Sequence, residues 1–173
     1  MARLNVNPTR MVLTNLKRKL RTARRGHKLL KDKRDELMKK FLDIVRKNKE
    51  LREQVEAMLM KAYRSFLMAR AVMSNEVLEE ALMFPKQSVS LEISTKNIMS
   101  VKVPEFHFRV ENNDASNIYP YGFANTSAEL DEAIGTLAEA QLLMLELAQA
   151  EKSAQMLAME IERTRRRVNA LEY

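Results

Sequence analysis

The feature that most constrains this fold is a long heptad pattern of apolar residues in the N-terminal half. From Leu13 to Ala62, positions recur in unbroken alternating steps of three and four. Twelve of these fifteen positions are apolar, and the exceptions all fall at heptad position a: His27, Arg34 and Asn48. Such a pattern is typical of a helix packed along its length against another helix. We predict one helix over residues 7–73, capped at Asn7 and on the order of 100 Å long at about 1.5 Å per residue.

A second apolar stripe, from Leu130 to Leu171, supplies the partner helix. Asn125, Thr126 or Ser127 is predicted to cap its start. The predicted seam residues of the first helix are Leu16, Leu20, Leu30, Leu37, Phe41, Ile44, Leu51 and Val55. Those of the second are Leu143, Leu147, Leu157, Ile161 and Val168. We therefore predict a mainly α fold, a long antiparallel two-helix coiled coil.

Between the helices, from Lys86 to Val110, the apolar period changes to two. This alternation predicts a small β-hairpin at the end of the coiled coil distal to the termini. Its turn is predicted at residues 95–97, with Pro104 at an edge or a bulge. The core residues of the hairpin are predicted to be Val89, Leu91, Ile93, Val101 and Val103. The expected segments are 1–84 for the first helix, interrupted at Ser74-Asn75, 85–125 for the hairpin and loop, and 126–173 for the second helix.

Positive charge is concentrated near the N-terminus. Residues 1–50 carry 17 Lys/Arg and five Asp/Glu, a net charge of +12, so the other residues sum to −5 in a chain of net charge +7. This asymmetry predicts a partner with a negative or carbonyl-lined surface. The contact candidates are Arg10, Lys17, Arg18, Arg21, Arg24, Arg25, Lys28, Arg163, Arg165, Arg166 and Arg167. A solvated helix face and a site for the phosphate backbone of a nucleic acid are the alternatives.

The sequence has no recognisable site for catalysis. It contains no Cys, only two His, no G-x-x-x-x-G-K-[ST] loop and no metal-binding spacing. We therefore expect no catalytic residue, no cofactor and no metal. No apolar run has the roughly 18 to 20 residues of a membrane span.

Two further features leave alternatives open. Gly26 lies inside the first helix at a cost of about 1 kcal/mol relative to Ala, and close approach of a neighbour would explain it. A cluster of large apolar residues either binds a partner or fills the core: Phe66, Met68, Met73, Leu142 and Met144.

Several segments resemble the D subunit of the V-type (A/V-type) ATPases. The likeness spans the whole chain, in this order: Asn5–Arg10, Leu16-Lys17, Gly26–Leu37, Asn97–Pro104 and Glu162–Tyr173. In that family the last helix continues past the tyrosine, so we expect this sequence to stop short of the family's C-terminus.

The resemblance implies a non-catalytic rotor shaft that transmits torque between ATP chemistry and ion transport. It implies contacts of the terminal end with the A and B subunits of the catalytic ring. The F subunit and the adaptor of the membrane rotor ring would bind towards the hairpin. A cytoplasmic, peripheral location follows, without insertion into the membrane. A coiled-coil scaffold without a motor and a nucleic-acid-binding coiled coil are the competing classes.

Overall fold

A computed structural model describes residues 7–111, 118–122, 124 and 126–172. The predicted mainly α fold with one small antiparallel sheet is confirmed. Its elements are α1 (Arg10–Val72), α2 (Asn75–Leu82), β1 (Ser88–Ile98), β2 (Val101–Glu111) and α3 (Ala128–Glu172). Asn5, Val6, Asn125 and Tyr173 lie outside the described residues.

The helix ends follow local capping chemistry. Thr9, rather than the predicted Asn7, caps α1, because its Oγ1 accepts a hydrogen bond from Val12 N at 3.3 Å. The predicted interruption at Ser74 is confirmed: α1 ends at Val72, and Ser74 Oγ accepts a bond from Val77 N to cap α2. Ser and Thr suit such positions because their short side chains replace the missing intrahelical acceptors.

Described residues of 1–42 and 157–173 form one compact unit. Here α1 and α3 run antiparallel. His27 Nε2 lies 3.3 Å from Glu172 Oε1, and Lys33 Nζ lies 3.9 Å from Glu160 Oε1. The buried residues of this unit are Leu37, Leu157, Ile161, Thr164 and Val168.

Gly26 lies beside α3 in this unit, but not so closely that only glycine fits. A Cβ added to it would lie 3.9 Å from Leu171 Cδ1, an ordinary van der Waals contact. The close approach suggested by the sequence is therefore not what the structure has, and the position accommodates a methyl group.

We predict that Gly26→Ala raises the free energy of unfolding by about 1 kcal/mol, because alanine has less conformational freedom in the unfolded chain and the higher helix propensity. Urea denaturation followed by circular dichroism measures this change. Gly26→Val is the control, since its branched side chain brings more atoms towards Leu171 and a lower helix propensity. A destabilised Gly26→Ala variant would contradict the geometry.

The described residues of 43–156 form the second compact unit. Its helix segments are again antiparallel, with Arg52 Nη2 3.5 Å from Glu151 Oε1 and Lys61 Nζ 3.0 Å from Glu132 Oε1. Leu51, Val55 and Ala62 are buried on α1, and Ala133, Ala140 and Ala150 on α3. A cluster joins α2 to both: Ala69, Leu78, Ala81 and Leu130, with Phe66, Met73, Tyr121 and Ile134 packed against it.

Tyr121 joins the connection before α3 to that helix. Its hydroxyl donates a hydrogen bond to Asp131 Oδ1 at 2.7 Å. Burial, and then the bond to the Asp131 carboxylate, raise the pKa of Tyr121 well above its usual value. The neutral phenol therefore stabilises the fold.

We predict that Tyr121→Phe lowers the free energy of unfolding by about 1–2 kcal/mol at pH 8, because the Asp131 carboxylate loses its donor. A raised folded-state pKa gives stability that is complete below the unfolded value, about 10 for tyrosine, and is lost at higher pH. The difference between wild type and variant should therefore shrink above pH 10. Urea denaturation at pH 8 and pH 10.5 measures it, and a constant difference would contradict the assignment.

The hairpin turn is formed by Met99 and Ser100. Both residues adopt the left-handed backbone conformation, with φ of 51° and 73°. The last pair of the sheet, on either side of this turn, is Ile98 and Val101. A two-residue turn with two positive φ angles is of type I′, whose twist matches that of the strands. The predicted turn at residues 95–97 is therefore wrong; these polar residues lie in β1. Composition misled the prediction, because neither Met nor Ser is typical of this turn.

Pro104 is tolerated because of its place in the register. It lies opposite Thr95, three pairs from Ile98 and Val101. Hydrogen-bonded and non-hydrogen-bonded pairs alternate in an antiparallel ladder, so the nitrogen of Pro104 points away from β1. The register continues without a bulge, and Pro104 is an edge residue.

The hairpin packs alongside the helix segments of the second unit. Val101 and Val103 are buried. Phe106 N donates a hydrogen bond to Gln149 Oε1 at 2.9 Å. A cavity between sheet and helices is lined by residues that include Ile44 and Ala150. From its start after α2, the hairpin therefore runs back along α1 and α3.

We predict that Ser100→Gly raises the free energy of unfolding by about 1 kcal/mol, since glycine adopts positive φ without the steric cost that L side chains meet. Ser90→Gly, an exposed strand position, should lower it because glycine weakens strands. Amide exchange across the hairpin measures both effects. Equal effects of the two substitutions would contradict the turn geometry.

Candidate functional site

A stripe of cations runs along the first turns of α1. Residues 10–31 carry nine Lys/Arg and no Asp/Glu. Lys17, Arg21, Arg24 and Lys28 follow in steps of four, three and four, which places them on one helix face. We call these four residues the basic stripe. Arg10 lies one heptad before Lys17, while Arg18 and Arg25 flank the stripe.

The basic stripe is free to bind a partner. All four side chains are exposed, and none forms an ion pair with a residue in the described ranges. No acidic residue between residues 10 and 31 offsets the charge of these side chains. The surface therefore attracts carboxylates or carbonyl oxygens.

The four arginines of α3 are exposed in the same unit but are partly paired. Arg163 Nη1 lies 4.0 Å from Glu160 Oε2, and Arg166 pairs with Glu162. Arg165 and Arg167 form no ion pair among the residues that the structure describes. Because Glu160 lies near Lys33 and Leu171 near Gly26, this cluster lies alongside the turns of α1 that follow the basic stripe.

The predicted seam residues differ in burial along the chain. Buried are Leu37, Leu51, Val55, Leu157, Ile161 and Val168; half-buried are Leu30, Phe41, Ile44, Leu143 and Leu147. Leu16 and Leu20 are 40 % and 51 % exposed. They precede the stretch of α1 that faces α3, whose Glu172 lies opposite His27.

The hairpin residues named from the sequence also differ in burial. Val101 and Val103 are buried and Val89 is half-buried. Leu91 and Ile93 are exposed; they lie on β1, whereas the strand hydrogen-bonded to α3 through Phe106 N is β2.

Apart from Met68, sequence reasoning missed an apolar surface on the last turns of α1. Met60, Tyr63 and Leu67 are exposed in steps of three and four, and Met68 and Val72 extend the surface. This spacing outside the seam was the available signal. Of the apolar cluster left open by the sequence, Phe66 and Met73 pack on the core, Leu142 is half-buried, and Met68 and Met144 are exposed.

Among the helices of the described chain, none combines the length and apolar character needed to cross a membrane.

Comparison with known proteins gives the family. The family of the ATP synthase D subunit matches residues 12–173. The V-type ATP synthase D subunit of Acetivibrio thermocellus is 70 % identical over 173 residues, covering 100 % of this chain and 78 % of that protein. The Clostridioides difficile and Clostridium novyi proteins of the same name are 65 % and 62 % identical, over 99 % and 100 % of this chain and 77 % and 81 % of their own lengths. The chain therefore belongs to the family of ATP synthase D subunits.

Proposed function

We propose that this chain is the central-stalk subunit of a V-type ATP synthase, transmitting torque between the catalytic ring and the ion-translocating ring in the membrane. The observation that carries the proposal is the 70 % identity, over the whole chain, to a V-type ATP synthase D subunit. The antiparallel helix segments support it, because paired helices resist bending and twisting together.

In this proposal the shaft consists of residues 1–84 and 126–173, and residues 85–125 form the hairpin and its loop. The terminal end contacts the A and B subunits of the ring. The F subunit and the rotor-ring adaptor bind the second unit, where the apolar surface of α1 is available. The stalk itself is non-catalytic, needs no cofactor, and lies on the cytoplasmic side as a peripheral part of the complex.

The basic stripe suits a surface that must bind successive partners. Exposed ion pairs are individually weak and are screened by salt, so contacts with one ring subunit are exchanged readily for contacts with the next. Each angle of the shaft favours a different state of the facing catalytic subunit only if its contacts differ between those states. The stripe provides such contacts on one face of α1.

We predict that changing Lys17, Arg21, Arg24 and Lys28 to Gln weakens binding to the catalytic hexamer. At roughly 0.5 kcal/mol for each exposed contact, the Kd should rise about 30-fold. Co-elution and titration with the hexamer measure it, and the difference from wild type should shrink at about 0.5 M salt because the contacts are screened.

The matched control changes four exposed cations outside the stripe to Gln: Lys40, Arg64, Arg70 and Lys102. It should bind the hexamer like wild type. Equal binding by the stripe variant and wild type would contradict the proposed contact. A wild-type chain that retards DNA at physiological salt but does not bind the hexamer would favour the nucleic-acid-binding alternative.

A further inference from the structure

The outer edge of β1 has unpaired backbone groups. Ile98 and Val101 form the strand pair next to the two-residue turn. Because the two kinds of pair alternate from there, the even-numbered residues of β1 exchange hydrogen bonds with β2. The odd-numbered residues direct their N–H and C=O groups away from it: Val89, Leu91, Ile93, Thr95 and Asn97. Outside the β1–β2 pairing, no backbone–backbone hydrogen bond to these five residues occurs within the described ranges.

The opposite edge of the sheet is covered. Phe106, opposite Ile93 in the register, points its N–H outward and donates it to Gln149 Oε1 of α3. Pro104 and Phe108 line the cavity against the same helix. The outer edge of β1 is therefore the open edge of this sheet in the described structure.

Apart from its two charged residues, Glu92 and Lys96, this open edge lacks the usual protection. β1 has eleven residues, no proline and no bulge, whereas exposed edges are commonly short, kinked or bulged. Ile93 is 61 % exposed and Leu91 is 42 % exposed. Such an edge is a template for an added strand.

The two faces of β1 specify what that strand must carry. One face has Leu91 and Ile93, with Phe108 and Phe106 across the ladder. The other exposes Glu92 and Lys96, four residues apart. A fitting strand has apolar residues on one face, and on the other a basic residue and an acidic residue four positions apart.

We propose that the outer edge of β1 binds an extended strand of another subunit of the ATP synthase, which becomes the third strand of the sheet. This inference rests on the proposed function, because it takes the partner from the same complex. It adds a specific site and a specific mode of recognition to the stalk.

A second copy of this chain fits the edge less well. Self-pairing places Glu92 opposite Lys96 in one register only, and that register puts Ile93 opposite Thr95 and Leu91 opposite Asn97. The apolar cross-strand pairs are then lost. Lys96 Nζ also lies 3.9 Å from its own Glu105. The strand of a different polypeptide is therefore favoured.

Amide hydrogen exchange at single-residue resolution tests the proposal. Each soluble subunit of the same V-type ATP synthase is purified and mixed singly with the full chain. In the free chain the even-numbered amides of β1 should exchange slowly and the odd-numbered ones fast. With the correct subunit, the amides of Leu91, Ile93 and Thr95 should slow by about tenfold or more.

A substitution gives an independent measurement. Ile93→Pro removes an outward N–H without removing a bond to β2, and should raise the Kd for that subunit about tenfold. Ile93→Val keeps the donor and the shape and should change it less than about twofold. Protection of the Val103 amide reports whether the hairpin of each variant is folded.

The outcomes separate this inference from the proposed function. If the chain binds the catalytic hexamer but the odd-numbered amides stay fast with every subunit, the edge inference is overturned and the stalk function stands. If neither the catalytic hexamer nor any single subunit binds, both are overturned. Slowing that appears in the chain alone and grows with its concentration would mean a second copy on the edge, and would overturn the proposed partner.

Discussion

The structure depends on the apolar packing of α1 against α3. Within one unit, Leu37 and Leu157 are completely buried, and within the other Leu51 and Val55 are nearly so. Each such side chain contributes about 1.5–3 kcal/mol when removed from water. A single helix cannot obtain this energy from its own stripe, so the pairing is what keeps two long helices ordered.

Pairing through one stripe leaves the other helix faces available for partners. In the unit of residues 1–42 and 157–173, the exposed face of α1 carries the unpaired cations of the basic stripe. In the second unit, α1 exposes Tyr63 and Met68, and the hairpin exposes the edge of β1. Charged contacts are weak and exchangeable, whereas apolar and main-chain contacts are durable. This distribution of charged and apolar surfaces suits exchangeable partners at the unit of residues 1–42 and 157–173, and permanent partners at the unit of residues 43–156.

The sequence predicts most of the fold because heptad and two-residue periods report directly on burial. It also predicts the interruption at Ser74, because a serine hydroxyl commonly caps the start of a helix, as Ser74 caps α2. It fails at Met99 and Ser100, because the pairing of β1 with β2 on both sides, rather than turn propensity, defines this left-handed turn. A periodic pattern likewise does not reveal that Ile93 lies on the open strand. The charges of the stripe are evident from the sequence; their lack of intramolecular partners requires coordinates.

Observation of rotation tests the central claim, that the paired helices act as the shaft of a motor, most directly. The chain has no cysteine, so Glu79→Cys on the exposed side of α2 gives it a single site for attaching a bead. With the catalytic hexamer fixed to a surface and ATP supplied, we predict continuous rotation of the bead in one direction. A hexamer that hydrolyses ATP while the bead only fluctuates about a fixed angle would contradict the account.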